Sequence, residues 1–148
     1  MRALLQRVER AEVRVAGEMV GSVGRGLLVL LGVGHADDDA GARSLARRVA
    51  ELRIFDDAGG RTNLSLLEVG GSALVVSQFT LYADTRRGRR PGFTDAAAPG
   101  EAERLYRVFA DALAELGPTV ALGRFGARMA VELVNDGPFT IWLDTADR

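Results

Sequence analysis

The chain contains no cysteine, no lysine and a single histidine in its 148 residues. Without cysteine there are no disulfides, no thiolate metal sites and no Cys nucleophile, and a reducing compartment is allowed. Without lysine, Schiff-base chemistry and a Lys general base are excluded. All 19 basic residues are therefore arginine. One histidine, His35, leaves no room for a multi-histidine metal site. Long apolar runs are also missing: residues 27–31 fall far short of the roughly 20 needed to span a membrane. Residues 1–7 lack the apolar core of a signal peptide. These absences predict a soluble, cytoplasmic protein. An excess of charge of one sign is missing too. The net charge is −1 and the pI about 5.9, so any contact with nucleic acid has to be local.

What is present is a hydrophobic fraction of 47% and a length that predicts one domain, residues 1–148. A chain of this size buries roughly 70% of the surface its unfolded form exposes, enough for a core without covalent staples. Residues 2–9 alternate loosely and pass into Ala11-Glu12-Val13-Arg14-Val15, with the period of a half-buried strand. Ala16-Gly17-Glu18 turns the chain into a hairpin partner, residues 19–23. Residues 27–33 form an apolar strand. Asp37-Asp38-Asp39 opens a helix with Leu45, Val49 and Leu52 inward. Ala73-Leu74-Val75-Val76 has no polar face and reads as a strand buried on both sides. A second helix follows Pro99-Gly100, with Leu105, Val108, Phe109, Ala112, Leu113 and Leu116 on one stripe. Residues 119–122, 129–134 and 139–144 are strand-like, with a turn expected at Asn135-Asp136. The pattern predicts an α+β fold: a mainly antiparallel sheet or open β-barrel carrying two main helices.

Four stretches could carry chemistry. Ser77, Gln78 and Thr80 follow the apolar strand directly, so they are either a satisfied strand terminus or one wall of a site. A Ser/His/Asp arrangement would pair His35 with Ser77 or Thr80. His35, however, sits beside three Asp in what reads as a solvated loop, and no Gly-x-Ser-x-Gly elbow surrounds Ser77. Arg86, Arg87, Arg89 and Arg90 lie around Gly88 in an exposed loop. Solvation and a bidentate grip on phosphate are equally consistent with it. Gly137-Pro138 is either a simple turn or a rigid wedge of backbone that another chain or a ligand approaches closely.

Together these stretches resemble the bacterial D-aminoacyl-tRNA deacylase family, also called D-tyrosyl-tRNA deacylase. The two most specific motifs are Ser77-Gln78-Phe79-Thr80-Leu81 and Asn135-Asp136-Gly137-Pro138. Further matches include Arg2-Ala3, Gln6-Arg7-Val8, Arg53-Ile54-Phe55, Gly70-Gly71-Ser72 and Gly123-Arg124-Phe125-Gly126-Ala127 with Met129, so the likeness spans essentially the whole length. The resemblance implies a homodimeric ester hydrolase that frees D-amino acids, or glycine mischarged on alanine tRNA, from the 3′ end of tRNA. It implies no cofactor, no metal and no membrane. It assigns Ser77, Gln78, Phe79 and Thr80 to the catalytic wall. Gly137-Pro138 would be inserted, with a cis peptide bond, into the partner's site. Arg7 would hold that dipeptide, and Phe125 and Met129 would flank the pocket. One departure is Phe139, where members often carry Val. Because no His, Cys or Lys lies near Ser77 and Thr80, the backbone N–H groups of Phe79 and Thr80 are expected to stabilise the oxyanion, with a Thr80 nucleophile as the rival mechanism. A non-catalytic dimer that binds RNA 3′ ends or small amines is the alternative function.

Overall fold

The structure, a computed structural model, describes residues 1–147. Its elements, in order, are β1 (Arg2–Val15), β2 (Glu18–Val23), β3 (Gly26–Gly32), α1 (Asp39–Glu51), β4 (Phe55–Asp56) and β5 (Thr62–Leu64). They continue with β6 (Ser72–Ser77), a 3-10 turn (Phe79–Tyr82), α2 (Pro99–Glu115), β7 (Thr119–Leu122) and β8 (Ala130–Asp144). No helix among the described residues is long and apolar enough to cross a membrane.

The main sheet runs β2-β1-β3-β6-β7, with β8 on the other side of β1. Pairs involving β1 are antiparallel, as the sequence predicts. The pairs β3–β6 and β6–β7 are parallel, because the segments containing α1 and α2 are crossovers that return the chain in the same direction. The sheet curls until β2 meets β7. A Cβ on Gly21 would lie 2.5 Å from the Leu122 carbonyl oxygen, so only glycine permits that approach.

Curling creates two cores, which explains why the central strands are apolar on both faces. Leu27, Val29, Leu31, Ala73 and Val75 pack beneath the helices. Leu28, Leu74 and Val76 point inside the barrel, with Val8, Ala11 and Val13 from β1. Parity along β1 changes between Val8 and Ala11, where its register to β8 shifts. That shift is why the opening residues only loosely alternate.

The helices follow their sequence signals closely. Asp38 caps α1, its carboxylate accepting the Gly41 N–H at 2.8 Å, and Leu45 and Val49 are fully buried. In α2, Leu105, Phe109, Ala112 and Leu113 are buried as expected, with Val108 and Leu116 partly so. The stripe omitted Tyr106. It is buried and donates its hydroxyl to the Val75 carbonyl at 2.8 Å, and desolvation pushes the phenol up to about 12.

One expectation is corrected. Residues 135–138 are not a turn between two strands: β8 is continuous from Ala130 to Asp144 and stays paired to β1 at both ends.

Gly26 sits so close to β6 that a Cβ would lie 1.7 Å from the Ser72 carbonyl oxygen, whereas nothing approaches Gly24 within 4 Å. Gly26→Ala is expected to cost at least about 2 kcal/mol through backbone displacement, and Gly24→Ala less than about 0.5 kcal/mol. Urea unfolding midpoints measure the contrast.

Candidate active site

Where β6 ends, the chain bends into the 3-10 turn. The Gln78 N–H still completes the ladder to the Leu31 carbonyl at 2.8 Å. The Leu81 and Ala83 N–H groups then close the turn on Gln78 and Thr80. The Phe79 and Thr80 amides stand at the start of this turn, so no carbonyl within it faces them. Arg2 fixes the turn from behind: its guanidinium donates to the Leu81 carbonyl at 2.9 Å, lies 4.3 Å over the Tyr82 ring and pairs with Asp144 at 3.0 Å. The Tyr82 hydroxyl donates to Asp37 at 3.2 Å.

A cavity of about 650 Å³ opens beside the turn. Val76, Ser77, Gln78 and Phe79 form one wall. The approach to α2 supplies Phe93 and Ala97, and the β7–β8 loop supplies Phe125, Ala127 and Met129 opposite. Phe79 is 54% exposed at the mouth, its ring edge-on to Phe93 with centroids 5.0 Å apart. The Gln78 side-chain amide donates to the Thr80 hydroxyl. Among the described residues, no His, Asp or Glu is hydrogen-bonded to Ser77 or Thr80. His35 bonds the Thr94 carbonyl at 2.6 Å and lines a different recess, near Met1 and Asp37. A Ser/His/Asp triad is therefore absent from this geometry.

Gly137 and Pro138 are exposed, joined by a cis peptide bond, and do not line the cavity of their own chain. They project because the β1–β8 ladder pairs Gln6 with Thr140 and Val8 with Asn135. Residues 136–139 thus face Arg7 alone. The buried Arg7 guanidinium occupies the gap, donating to the carbonyls of Asp136 at 3.0 Å and Ile54 at 2.7 Å. Carboxylates of Asp136 and Asp56 lie 3.3 and 3.6 Å away, and the Phe139 ring 4.6 Å beneath. Phe139 thus fills a defined place under the bulge. Asn135 closes the bulge from within. Its amide donates to the carbonyls of Arg7 (2.8 Å) and Phe139 (3.1 Å), and its carbonyl accepts the Phe139 N–H at 3.2 Å.

Residues from both sequence motifs are thus ordered, in two separate places on one chain. The cavity brings together Ser77, Gln78, Phe79, Phe125 and Met129; Thr80 follows Phe79 in the turn but is outside the lining; Arg7, Gly137 and Pro138 form a bulge that is not part of it. Sequence reasoning missed Phe93 and Ala97 in the cavity wall. It also missed the clamp made by Asn135, although Asn is a residue type that bonds its own backbone.

The fold and site define an α+β, barrel-like domain with an apolar cavity beside the 3-10 turn and, among the described residues, no charged relay on Ser77 or Thr80. The family model described as D-Tyr-tRNA(Tyr) deacylase matches residues 4–144. A D-aminoacyl-tRNA deacylase of Thermomicrobium roseum is 61% identical over 147 residues, 99% of this chain and 96% of that one. One from Dinoroseobacter shibae is 62% identical over 144 residues, 97% of this chain and 99% of that one. The chain belongs to the D-Tyr-tRNA(Tyr) deacylase family. Among solved structures, one titled c-Myc DNA Unwinding Element Binding Protein is 38% identical, with a TM-score of 0.92 over 97% of this chain and 98% of that one. A probable eukaryotic D-amino acid tRNA deacylase shares the fold at 20% identity, with a TM-score of 0.83 over 96% and 97%.

Asn135→Ala removes three hydrogen bonds from the bulge at once. A stability loss of about 1–3 kcal/mol is expected, together with faster hydrogen exchange at the Phe139 amide, read by mass spectrometry.

Proposed function

We propose that this chain is a carboxylic ester hydrolase acting in the cytoplasm on the ester between a D-amino acid and the 3′-terminal ribose of tRNA, and that it works as a homodimer. Glycine mischarged on alanine tRNA is a second substrate. The observation that carries this reading is an apolar cavity walled by Ser77, Gln78 and Phe79, at the start of the turn that holds the Phe79 and Thr80 amides, with no His, Asp or Glu hydrogen-bonded to Ser77 or Thr80 among the described residues, in a chain about 60% identical along its length to D-aminoacyl-tRNA deacylases.

An aminoacyl ester is already activated, so positioning and charge stabilisation suffice. The two amides bind the oxygen that becomes negative as water attacks, a device whose single donors are typically worth about 10²–10³ in rate. The vicinal ribose hydroxyl guides the water. Ser77 and Gln78 shape the wall, and Phe125 and Met129 hold the substrate from the opposite side.

The dimer supplies selectivity. Gly137 and Pro138 are exposed on β8, which among the described residues pairs with β1 alone, and Trp142 on the same strand is 46% exposed. Inserted into a second copy's cavity, the Gly137 and Pro138 carbonyls capture the substrate's α-amino group. An L side chain then collides with the wedge, whereas a D side chain or glycine's hydrogen does not.

Purified protein is expected to release D-tyrosine from D-tyrosyl-tRNA and leave L-tyrosyl-tRNA intact. Binding without release would favour an RNA-binding module instead. Thr80→Ala is expected to retain activity within about tenfold, the scale of a minor contact against the 10²–10³ of an oxyanion donor; a trapped acyl ester on Thr80 would refute the backbone mechanism. Pro138→Ala, which loosens the backbone presenting the carbonyls, is expected to erode D-over-L selectivity in the same assay.

A further inference from the structure

Most arginines here are committed to partners within the chain. Arg10 pairs with Glu132 at 3.0 Å, Arg47 with Glu51 at 3.4 Å, and Arg104 with Asp39 and Glu101 at 2.7 Å each. Arg25 lies over Phe55, and Arg53 bonds Asn63. Among the described residues, the arginines with no hydrogen bond, ion pair or ring contact from their side chains are Arg61, Arg87, Arg89, Arg90, Arg124 and Arg128. All are exposed.

Apart from Arg61, these lie on two loops that border the same cavity. The first loop leaves the 3-10 turn at Asp84 and returns at Gly92, the two residues exchanging backbone bonds of 2.9 and 2.7 Å. Its next residue, Phe93, is cavity wall. Asp84 holds Arg86 in a bidentate fork, the Nε and Nη2 of one guanidinium edge each donating to a carboxylate oxygen at 2.8 Å, and its own carboxyl is held well below the usual range by that contact, while Asp95 adds a weaker pull on Arg86. Arg86 is thus a strut for the loop, leaving Arg87, Arg89 and Arg90 to project. The second loop, residues 123–129, contributes Phe125 and Met129 to the opposite wall and carries Arg124 and Arg128 outward. The acid beside Arg124, Glu103, is already paired with Arg107 at 3.2 Å.

We propose that these two loops form a clamp for the phosphates of the nucleotides preceding the esterified ribose, that is, the single-stranded 3′ end of tRNA. The proposal rests on the function assigned above. With the terminal ester in the cavity, the preceding backbone has to leave through the mouth, between the two loops. Arginine suits this task because its planar fork matches phosphate oxygens. A chain of net charge −1 has no general attraction for RNA, so uncommitted positive charge placed locally selects the 3′ end over the rest of the molecule.

The test uses binding of uncharged tRNA by fluorescence polarisation, separately from hydrolysis. If each of the five arginines neutralises one single-strand phosphate, at about 0.7 in log–log salt slope apiece, affinity falls about a hundredfold between about 50 and 200 mM salt. The combined variant Arg87→Gln, Arg89→Gln, Arg90→Gln is expected to reduce that fall to about sevenfold and to weaken binding at low salt. Arg124→Gln with Arg128→Gln is expected to act in the same direction, and Arg61→Gln to leave both quantities unchanged. A tRNA trimmed of its single-stranded 3′ end is expected to bind the parent and the triple variant alike. The clamp is overturned if the triple variant keeps the parental slope and affinity, if Arg61→Gln shifts them equally, or if the trimmed tRNA is equally sensitive to the substitutions. Parental protein that binds tRNA in this arginine-dependent way yet releases no D-tyrosine overturns the hydrolase reading and upholds the clamp.

Discussion

A single buried guanidinium organises one end of this molecule. Arg7 stands alone on β1 opposite residues 136–139 of β8, and its side chain supplies the hydrogen bonds that the interrupted ladder no longer provides. Burying a cation is costly unless it is fully paired. Here two carbonyls, two carboxylates and the Phe139 ring surround it. The same contacts connect β1, the end of α1's following segment and β8. Asn135 completes the arrangement by acting as an extra length of backbone. The outcome is an exposed Gly137-Pro138 bulge on a strand that remains otherwise paired, so an irregular element is carried by a regular one.

The cavity follows a comparable logic. Strand β6 is held on both sides by parallel neighbours, and its last ladder bond falls at Gln78. Among the described residues no carbonyl is bonded to the Phe79 and Thr80 amides of the 3-10 turn that follows, and Arg2, Tyr82 and Asp37 brace that turn from behind. Donors attached to the backbone of a braced turn need little reorganisation when charge develops, which is the property that makes amide sites effective in electrostatic stabilisation. No imidazole or carboxylate is bonded to Ser77 or Thr80 among the described residues.

Charge is distributed with equal economy. Among the described residues carboxylates pair with nine of the arginines, and the exposed pairs individually contribute little stability. Arg61 apart, the arginines left with no side-chain partner among the described residues lie on the two loops that carry Phe93, Phe125 and Met129 into the cavity wall or lead to them. Asp84 illustrates the division, bracing Arg86 while its loop neighbours remain unpaired.

Sequence alone determined the elements whose cause is local or periodic. The amphipathic stripes of α1 and α2, the Asp38 cap and the two-faced apolar strands were legible because burial repeats with the backbone's own period. The absence of cysteine and lysine and the single histidine narrowed the chemistry before any coordinates. The motifs at residues 77–81 and 135–138 carried the family resemblance. Tertiary structure decided what depends on partners far along the chain. The parallel placement of β6 and β7 follows from which edge each crossover reaches. The continuity of β8 depends on β1, more than a hundred residues earlier, pairing on both sides of the bulge. Tyr106 lay outside the apolar stripe because its burial rests on one carbonyl of β6. The separation of His35 from Ser77 is likewise a matter of three-dimensional placement, since residue type and spacing carry no information about which recess a side chain faces.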